Sequence, residues 1–223
     1  MEQLSKDGSK HITDERINTI TSLAGSMIAI VLSSLLIGRL LIENRSWYEY
    51  ASIILYCVSY INLFVMSTLH HGLKLSPRGE SVFRTLDYTA IFWVIGGTIT
   101  ALVALSFNSP AGIAVLIATW LLAATGITLR SSLPKLPKHI TNTLFIVMGW
   151  LPAMALISEL GSLSASEAGL LAVGGLVYTF GFIVYVAEKP NPKPGLFGFH
   201  ELWHILVIIA SFIHWILIYK LLA

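Results

Sequence analysis

Long apolar runs constrain this chain more than any motif does. Seven stretches of about 20 mostly apolar residues follow one another, and a helix of about that length is needed to cross a bilayer. Only 12% of the 223 residues are charged, against about 25% in a soluble domain, so the polar surface of a water-soluble fold is missing. The sequence therefore predicts an all-α, seven-transmembrane helix bundle. The predicted spans are Ile20–Ile42, Tyr48–His70, Leu86–Phe107, Ala111–Leu129, Ile140–Ser158, Ala168–Ala187 and Phe199–Leu222.

Short polar breaks separate these runs, which predicts one compact bundle without a soluble domain. Residues 1–18 are polar and mixed in charge, and we expect them to form a cytoplasmic N-terminal segment ahead of a seven-helix domain over residues 19–223. A cleaved signal peptide is not expected, because the first apolar run is too long for one. The single cysteine, Cys57, rules out an intrachain disulfide and a cysteine-based zinc site.

The basic residues predict the orientation in the membrane, because Lys and Arg accumulate in cytoplasmic loops. With the N-terminus inside, eleven of the fourteen Lys and Arg residues fall on the inner side, and Arg39, Arg45 and Lys220 fall outside. The N-terminus is therefore expected to be cytoplasmic and the C-terminus external. The net charge of +2 includes no basic block, which argues against a nucleic-acid partner and leaves membrane lipids as the expected partners.

Histidines and an aspartate at the inner ends of three spans give the strongest functional signal. His200 and His204 are four residues apart, so they lie on one helical face, one turn apart. His71 ends the second span, which runs inward, and Asp87 begins the third, which runs outward like the seventh. Ser67 lies one turn from His71 on the same face. In this topology the four ionisable residues converge at one depth.

Ionisable groups inside a membrane need partners, and a zinc ion held by His71, His200 and His204 would supply one. Three histidines leave a fourth zinc position open, which is typical of catalytic zinc. Asp87 could hold or deprotonate a water in that position, and Ser67 could hydrogen-bond to Asp87, to the water or to a substrate oxygen. The alternative is that the three histidines are separate residues at headgroup level that share no ion.

A second interpretation comes from the segment His200-Glu201-Leu202-Trp203-His204, which matches the H-E-x-x-H pattern of metalloproteases with Glu201 as general base. His214 lies about 15 Å further along the same helix and cannot reach the same ion. The third ligand must come from another helix, which argues against a standard protease of this kind. Glu201 is then expected to be a solvated interface residue, and His214 to make a structural hydrogen bond within the bundle.

Four further positions near these motifs carry structural predictions. His70 adjoins His71 but points about 100° away on a helix, so it is not expected to share the face of Ser67. Gly174, Gly175 and Gly181 are expected at close helix–helix contacts, because small residues let helix backbones approach in membranes.

Three segments carry a family resemblance that covers nearly the whole chain. Ser67-Thr68-Leu69-His70-His71 has the form S-x3-H, Leu86-Asp87-Tyr88 has the form L-D-Y/H, and the final span combines H-x3-H with a later His214. In these segments, their order and the seven-span frame, the chain resembles the hemolysin III family, the bacterial branch of the progestin and adiponectin receptor superfamily.

The resemblance implies a zinc ion held by His71, His200 and His204, with Asp87 linked through water and Ser67 nearby. It also implies hydrolysis of lipid amides or esters, as proposed for adiponectin receptors and alkaline ceramidases, and a place in the bacterial cytoplasmic membrane. A non-enzymatic membrane sensor with a structural zinc, and a cytolysin, are the alternatives.

The chain departs from the family pattern at one position of the first span. Many members carry a histidine there, after an E-x-x-N-like segment. Here Glu15-Arg16-Ile17-Asn18 is present, but Ser22 takes the place of that histidine, so its role is absent or altered.

The predicted topology can be measured with fusions at both ends. A reporter placed before Met1 should be cytoplasmic and one placed after Ala223 external, because the excess of Lys and Arg lies on the inner side. Paired alkaline phosphatase and fluorescent-protein fusions report the two locations. A cytoplasmic C-terminal reporter would contradict an odd number of spans and the convergence of the ligand residues.

Overall fold

The computed structural model describes Lys6, residues 14–133 and residues 136–222, and within them the chain is all helical. Each α-helix contains most of one predicted span, so the all-α prediction is confirmed. The helices are α1 (Glu15–Ile42), α2 (Trp47–Gly72), α3 (Pro77–Leu105), α4 (Pro110–Ser132), α5 (Lys138–Ala155), α6 (Ala165–Ala187) and α7 (Phe199–Leu221), with a 3-10 segment at Ile157–Ser162.

Six of these helices are long and apolar enough to cross a membrane, which makes the chain an integral membrane protein. The exception among the described residues is α5, whose first turns carry Lys138, His139 and Asn142 and whose interior contains Pro152. A seventh crossing by α5 and the orientation of the two termini stay predictions.

Local sequence explains where most helices begin. The side chain of Asp14 accepts a hydrogen bond from the backbone N of Arg16 at 2.8 Å, which caps the free N–H groups of α1. Ser76 and Ser109 cap α3 and α4 in the same way, and each is followed by a proline at the first helical position, where no N–H is needed. These caps place the helix starts within a few residues of the polar breaks in the sequence.

Lys6 links the N-terminal segment to the end of α2. Most of the segment 1–18 lies outside the described residues, but Lys6 Nζ donates to the carbonyl oxygens of His70 and His71 at 3.2 Å and of Leu73 at 2.6 Å. Its backbone N donates to Glu15 Oε1 at 3.2 Å. A lysine at this place satisfies the carbonyls that a helix leaves unpaired at its C-terminus.

The helices pack mainly against their neighbours in sequence, and the bundle is completed by contacts of α1 with α7. Among the described helices that follow one another in sequence, α5 and α6 are the pair that does not pack closely. The end of the bundle where α2 ends and α7 begins carries His71 and His200, and we call it the histidine end. Fully buried aromatic side chains fill the interior, among them Tyr56 and Tyr60 of α2, whose rings stack at 5.7 Å.

Three glycines of α6 that were predicted at close contacts have different surroundings, and two of them, Gly174 and Gly175, are adjacent. A Cβ added at Gly174 would overlap the imidazole of His214 on α7, and one at Gly181 would press on Leu206 and Trp203. A Cβ at Gly175 would meet open space. The close-packing prediction is therefore supported for Gly174 and Gly181 and is wrong for Gly175.

This pair offers a matched test of the α6–α7 contact. Gly174→Ala should lower the melting temperature in detergent, because overpacking of this kind costs about 1–3 kcal/mol. Gly175→Ala should keep or raise it, since alanine favours a helix over glycine by about 1 kcal/mol. Equal melting temperatures for the two variants would contradict the packing of His214 against α6.

Candidate metal centre

Three buried histidines meet at the histidine end. His71 lies in the last turn of α2, and His200 and His204 lie in the first two turns of α7. One ring nitrogen from each lies within 4.8 Å of the others, and the Nε2 atoms of His71 and His200 are 3.3 Å apart. Zn–N bonds of 2.0–2.1 Å in a tetrahedron separate two nitrogens by about 3.3 Å. The three imidazoles therefore fit the donor set of a zinc ion.

The chain entering α7 fixes the position of His200. Asn191 Oδ1 accepts a hydrogen bond from the backbone N of Phe199 at 3.1 Å, and Glu201 Oε2 accepts one from Gly198 N at 2.8 Å. Glu201 is fully buried. Its interpretation as a solvated interface residue is therefore wrong, because the side chain turns back to cap the start of its own helix.

A carboxylate holds the imidazole of His71. Nδ1 of His71 lies 2.6 Å from Oε2 of Glu15, the first residue of α1. Donation of the Nδ1 proton to Glu15 leaves a lone pair on Nε2, which faces the other histidines. Many metal-binding histidines are oriented in this way. Glu15 is not among the predicted site residues, and its only signal in the sequence is the E-x-x-N-like segment that it begins.

Hydroxyl groups of α1 hold the imidazole of His204. Its Nδ1 lies 3.2 Å from both Thr21 Oγ1 and Ser22 Oγ. The Thr21 hydroxyl donates to the carbonyl of Ile17 at 2.9 Å, so its oxygen can accept the Nδ1 proton and leave Nε2 for a metal. Ser22 also lies 2.9 Å from Ser67 Oγ. Ser67 thus joins the site through Ser22 in this structure.

Asp87 and His70 form a second group beside the three histidines. A carboxylate oxygen of Asp87 and ring nitrogens of His70 and His71 lie within 4.8 Å of one another. His70 is buried, and its ring centroid is 4.8 Å from that of His71. The 100° rotation that separates the two side chains turns His70 towards α3, so it joins the site from the side of Asp87. Neither of its ring nitrogens hydrogen-bonds to a described residue.

A large apolar cavity ends at this cluster. Its volume is about 470 Å³, and most of its wall comes from apolar side chains of α2, α3, α5, α6 and α7. Asp87, His200 and His204 form part of its polar end. Trp150 on α5 and Leu176 on α6 also line it, and 42% and 59% of their surfaces are exposed. The cavity wall therefore reaches the apolar outer surface of the bundle where α5 and α6 stand apart.

His214 lies apart from the cluster of His71, His200 and His204. Its Nε2 is 3.4 Å from the carbonyl oxygen of Leu171 on α6, to which an Nε2 proton can be donated. Beside it, the hydroxyls of Tyr178 and Ser211 are 2.6 Å apart and join the same two helices. The predicted hydrogen-bond partner for His214 is therefore present within the bundle, and its structural role stays a prediction beside the alternative of a proton relay.

Comparison with known proteins gives a consistent set of relatives. The family model described as Haemolysin-III related matches residues 10–215. "Hemolysin-3" of Bacillus cereus is 30% identical over 90% of this chain and 88% of its own length, and "Hemolysin-3 homolog" of Bacillus subtilis (strain 168) is 28% identical over 90% of each. "Monocyte to macrophage differentiation factor" of Homo sapiens is 24% identical over 87% of this chain and 79% of its own. No solved structure matches significantly.

Proposed function

Because the chain belongs to the haemolysin-III related family, as its motifs predicted, we propose that it is a zinc-dependent hydrolase of lipid amides or esters. It would act in the bacterial cytoplasmic membrane as a seven-span protein, with α5 as the remaining crossing and the N-terminus inside. The observation that carries the proposal is the apolar cavity of about 470 Å³ that ends at His200, His204 and Asp87. A cavity that could hold one long hydrocarbon chain is thereby adjacent to side chains that could hold a metal ion.

The residues divide the chemistry between them. His71, His200 and His204 would hold the zinc, which would polarise a carbonyl group and make a water molecule easier to deprotonate and so a better nucleophile. Asp87 borders the cavity and lies close to His71, so it could take a proton from a water molecule there and return it to the leaving amine or alcohol. Ser67 also borders the cavity and can donate its hydroxyl proton to a substrate oxygen.

The cavity also supplies orientation and exclusion of water. Its apolar wall would hold an acyl chain with the carboxyl carbon directed at the histidine end. The gap between α5 and α6 would admit that chain from the membrane. A sensor that used zinc only to join helices would need the ligand cluster but not the adjoining cavity, which is why the hydrolase is preferred. The cytolysin alternative rests on the relatives' names.

Zinc binding by the three histidines has a direct test. The purified protein should contain about one zinc per chain, and His204→Ala should lose most of it, because two remaining histidines make a poor site. Elemental analysis of protein purified without chelators measures the content. His139→Ala is the matched control, since His139 is an exposed histidine away from the cluster. Absence of zinc from the wild type, or equal loss in both variants, would contradict the assignment.

The role of Asp87 separates catalysis from a structural zinc. Asp87→Asn keeps the size of the side chain and removes its charge, so zinc content should persist while hydrolysis falls by about 10²–10⁴. Glu201→Gln should retain activity, because a glutamine oxygen can still accept the hydrogen bond from Gly198. The assay follows release of fatty acid from ceramide-like amides and ester lipids, with His204→Ala as the zinc-poor control.

Three outcomes of this assay are informative. Loss in Asp87→Asn alone, with zinc retained, supports the proposed mechanism. Equal slow turnover in the wild type and all variants would mean background hydrolysis and would favour the sensor. Loss in Glu201→Gln with full activity in Asp87→Asn would instead indicate chemistry like that of the H-E-x-x-H metalloproteases.

A further inference from the structure

Arg130 is a buried cation without an anionic partner among the described residues. It lies in the last turn of α4 at the histidine end, and only 6% of its surface is exposed. Its Nε is enclosed without a hydrogen bond to any described residue, and no described carboxylate forms an ion pair with it. A buried charge in this state is strongly unfavourable, so an anion from outside the described chain is the expected partner.

The immediate neighbours of Arg130 add positive charge. The guanidinium lies 4.3 Å from the ring centroid of Tyr88 on α3, a cation–π contact that attracts the charge without neutralising it. Arg84 lies one turn before Tyr88 on α3, close enough to interact electrostatically with Arg130. Two arginines without described acidic partners therefore lie together at the end of a transmembrane bundle.

Arg130 does not have the surroundings of an ordinary interfacial anchor. An arginine that anchors a helix extends its charged group into water or among headgroups, as exposed Arg78 can at the same end of the bundle. Arg130 is instead enclosed beside a network in which the hydroxyls of Tyr88 and Tyr185 are 2.6 Å apart. Tyr185 also borders a small cavity of about 150 Å³ that Lys138, Asn142 and Glu188 help to line. A pair of tyrosine hydroxyls thus lies on the side of Arg130 that faces Tyr88.

We propose that Arg130 and Arg84 bind the phosphate group of an anionic membrane lipid. Guanidinium groups bind phosphate oxygens through paired, charge-assisted hydrogen bonds, and a tyrosine hydroxyl can satisfy a remaining oxygen. The histidine end of the spans lies where lipid headgroups meet the protein, so the phosphate arrives with its acyl chains in the surrounding bilayer. The inference concerns the α3–α4 side of the bundle and does not depend on zinc or on hydrolysis.

The test compares lipid binding by the whole protein in detergent at fixed ionic strength. Native mass spectrometry would count bound phosphatidylglycerol and phosphatidylcholine for the wild type, Arg130→Gln, Arg84→Gln and Arg78→Gln. The wild type should prefer the anionic lipid, and Arg130→Gln should weaken its binding by about tenfold, as expected when a charge-assisted hydrogen-bond pair is lost. Arg84→Gln should weaken it less, and Arg78→Gln, the matched surface control, should bind as the wild type does.

Two further measurements complete the test. If Arg130→Gln does not yield folded protein, Arg130→Lys and Arg84→Gln are read instead, and both should weaken phosphatidylglycerol binding because the paired geometry or one charge is lost. Addition of inorganic phosphate distinguishes a lipid phosphate from free phosphate as the ligand. A site for lipid should retain the bound lipid when inorganic phosphate is added. Displacement by phosphate alone would assign the site to free phosphate. Unchanged lipid preference in the Arg130 and Arg84 variants, or an equal loss in Arg78→Gln, would overturn the proposal.

Discussion

Hydrogen bonds from α1 to two buried imidazoles organise the histidine end of this protein. Glu15 contacts Nδ1 of His71, and Thr21 and Ser22 contact Nδ1 of His204. Polar groups in an apolar interior are costly unless they are paired, so these contacts favour one rotation of α1 about its axis and one placement between α2 and α7. Because Nδ1 of each ring contacts α1, Nε2 is the nitrogen of each ring that could bind a metal.

The same contacts explain how Ser22 can take the first-span position at which the family resemblance implied a histidine. Ser22 reaches His204 and Ser67 at once, so it connects α1, α2 and α7 through short hydroxyl contacts. A hydroxyl is smaller than an imidazole and accepts as well as donates. The chain therefore keeps a polar connection to the histidine cluster at this position without adding a fourth imidazole.

The sequence predicts the parts of this arrangement that depend on helix periodicity and chain direction. Apolar length predicts the spans, and alternation of direction brings His71, Asp87 and His200 to one end of the bundle. The sequence does not predict that the side chains of Glu15 and His70 lie beside the His71 imidazole. Their contacts depend on how α1, α2 and α3 are rotated against one another, because α1 and α3 both pack against α2.

Local sequence patterns give wrong predictions where contacts with other parts of the chain determine the environment of a residue. Glu201 has the sequence context of a protease base or of a solvated residue, yet the chain before α7 folds so that Glu201 caps its own helix. Gly174 and Gly175 are indistinguishable in a pattern of small residues, but one faces His214 and the other faces the cavity. The cavity itself follows from the loose approach of α5 to α6, a property of the assembled bundle.

Lys6 gives the chain ahead of the first membrane helix a place in the site. Its ammonium group bridges three carbonyls at the end of α2, and its backbone N reaches Glu15, the carboxylate that contacts His71. Lys6 and Glu15 lie nine residues apart in sequence, and both precede the predicted span Ile20–Ile42. A truncated chain whose start was chosen at the first apolar run would keep all seven helices nearly whole. It would nevertheless lose the contacts of Lys6 and Glu15. These contacts restrain the last turn of α2, where His71 lies.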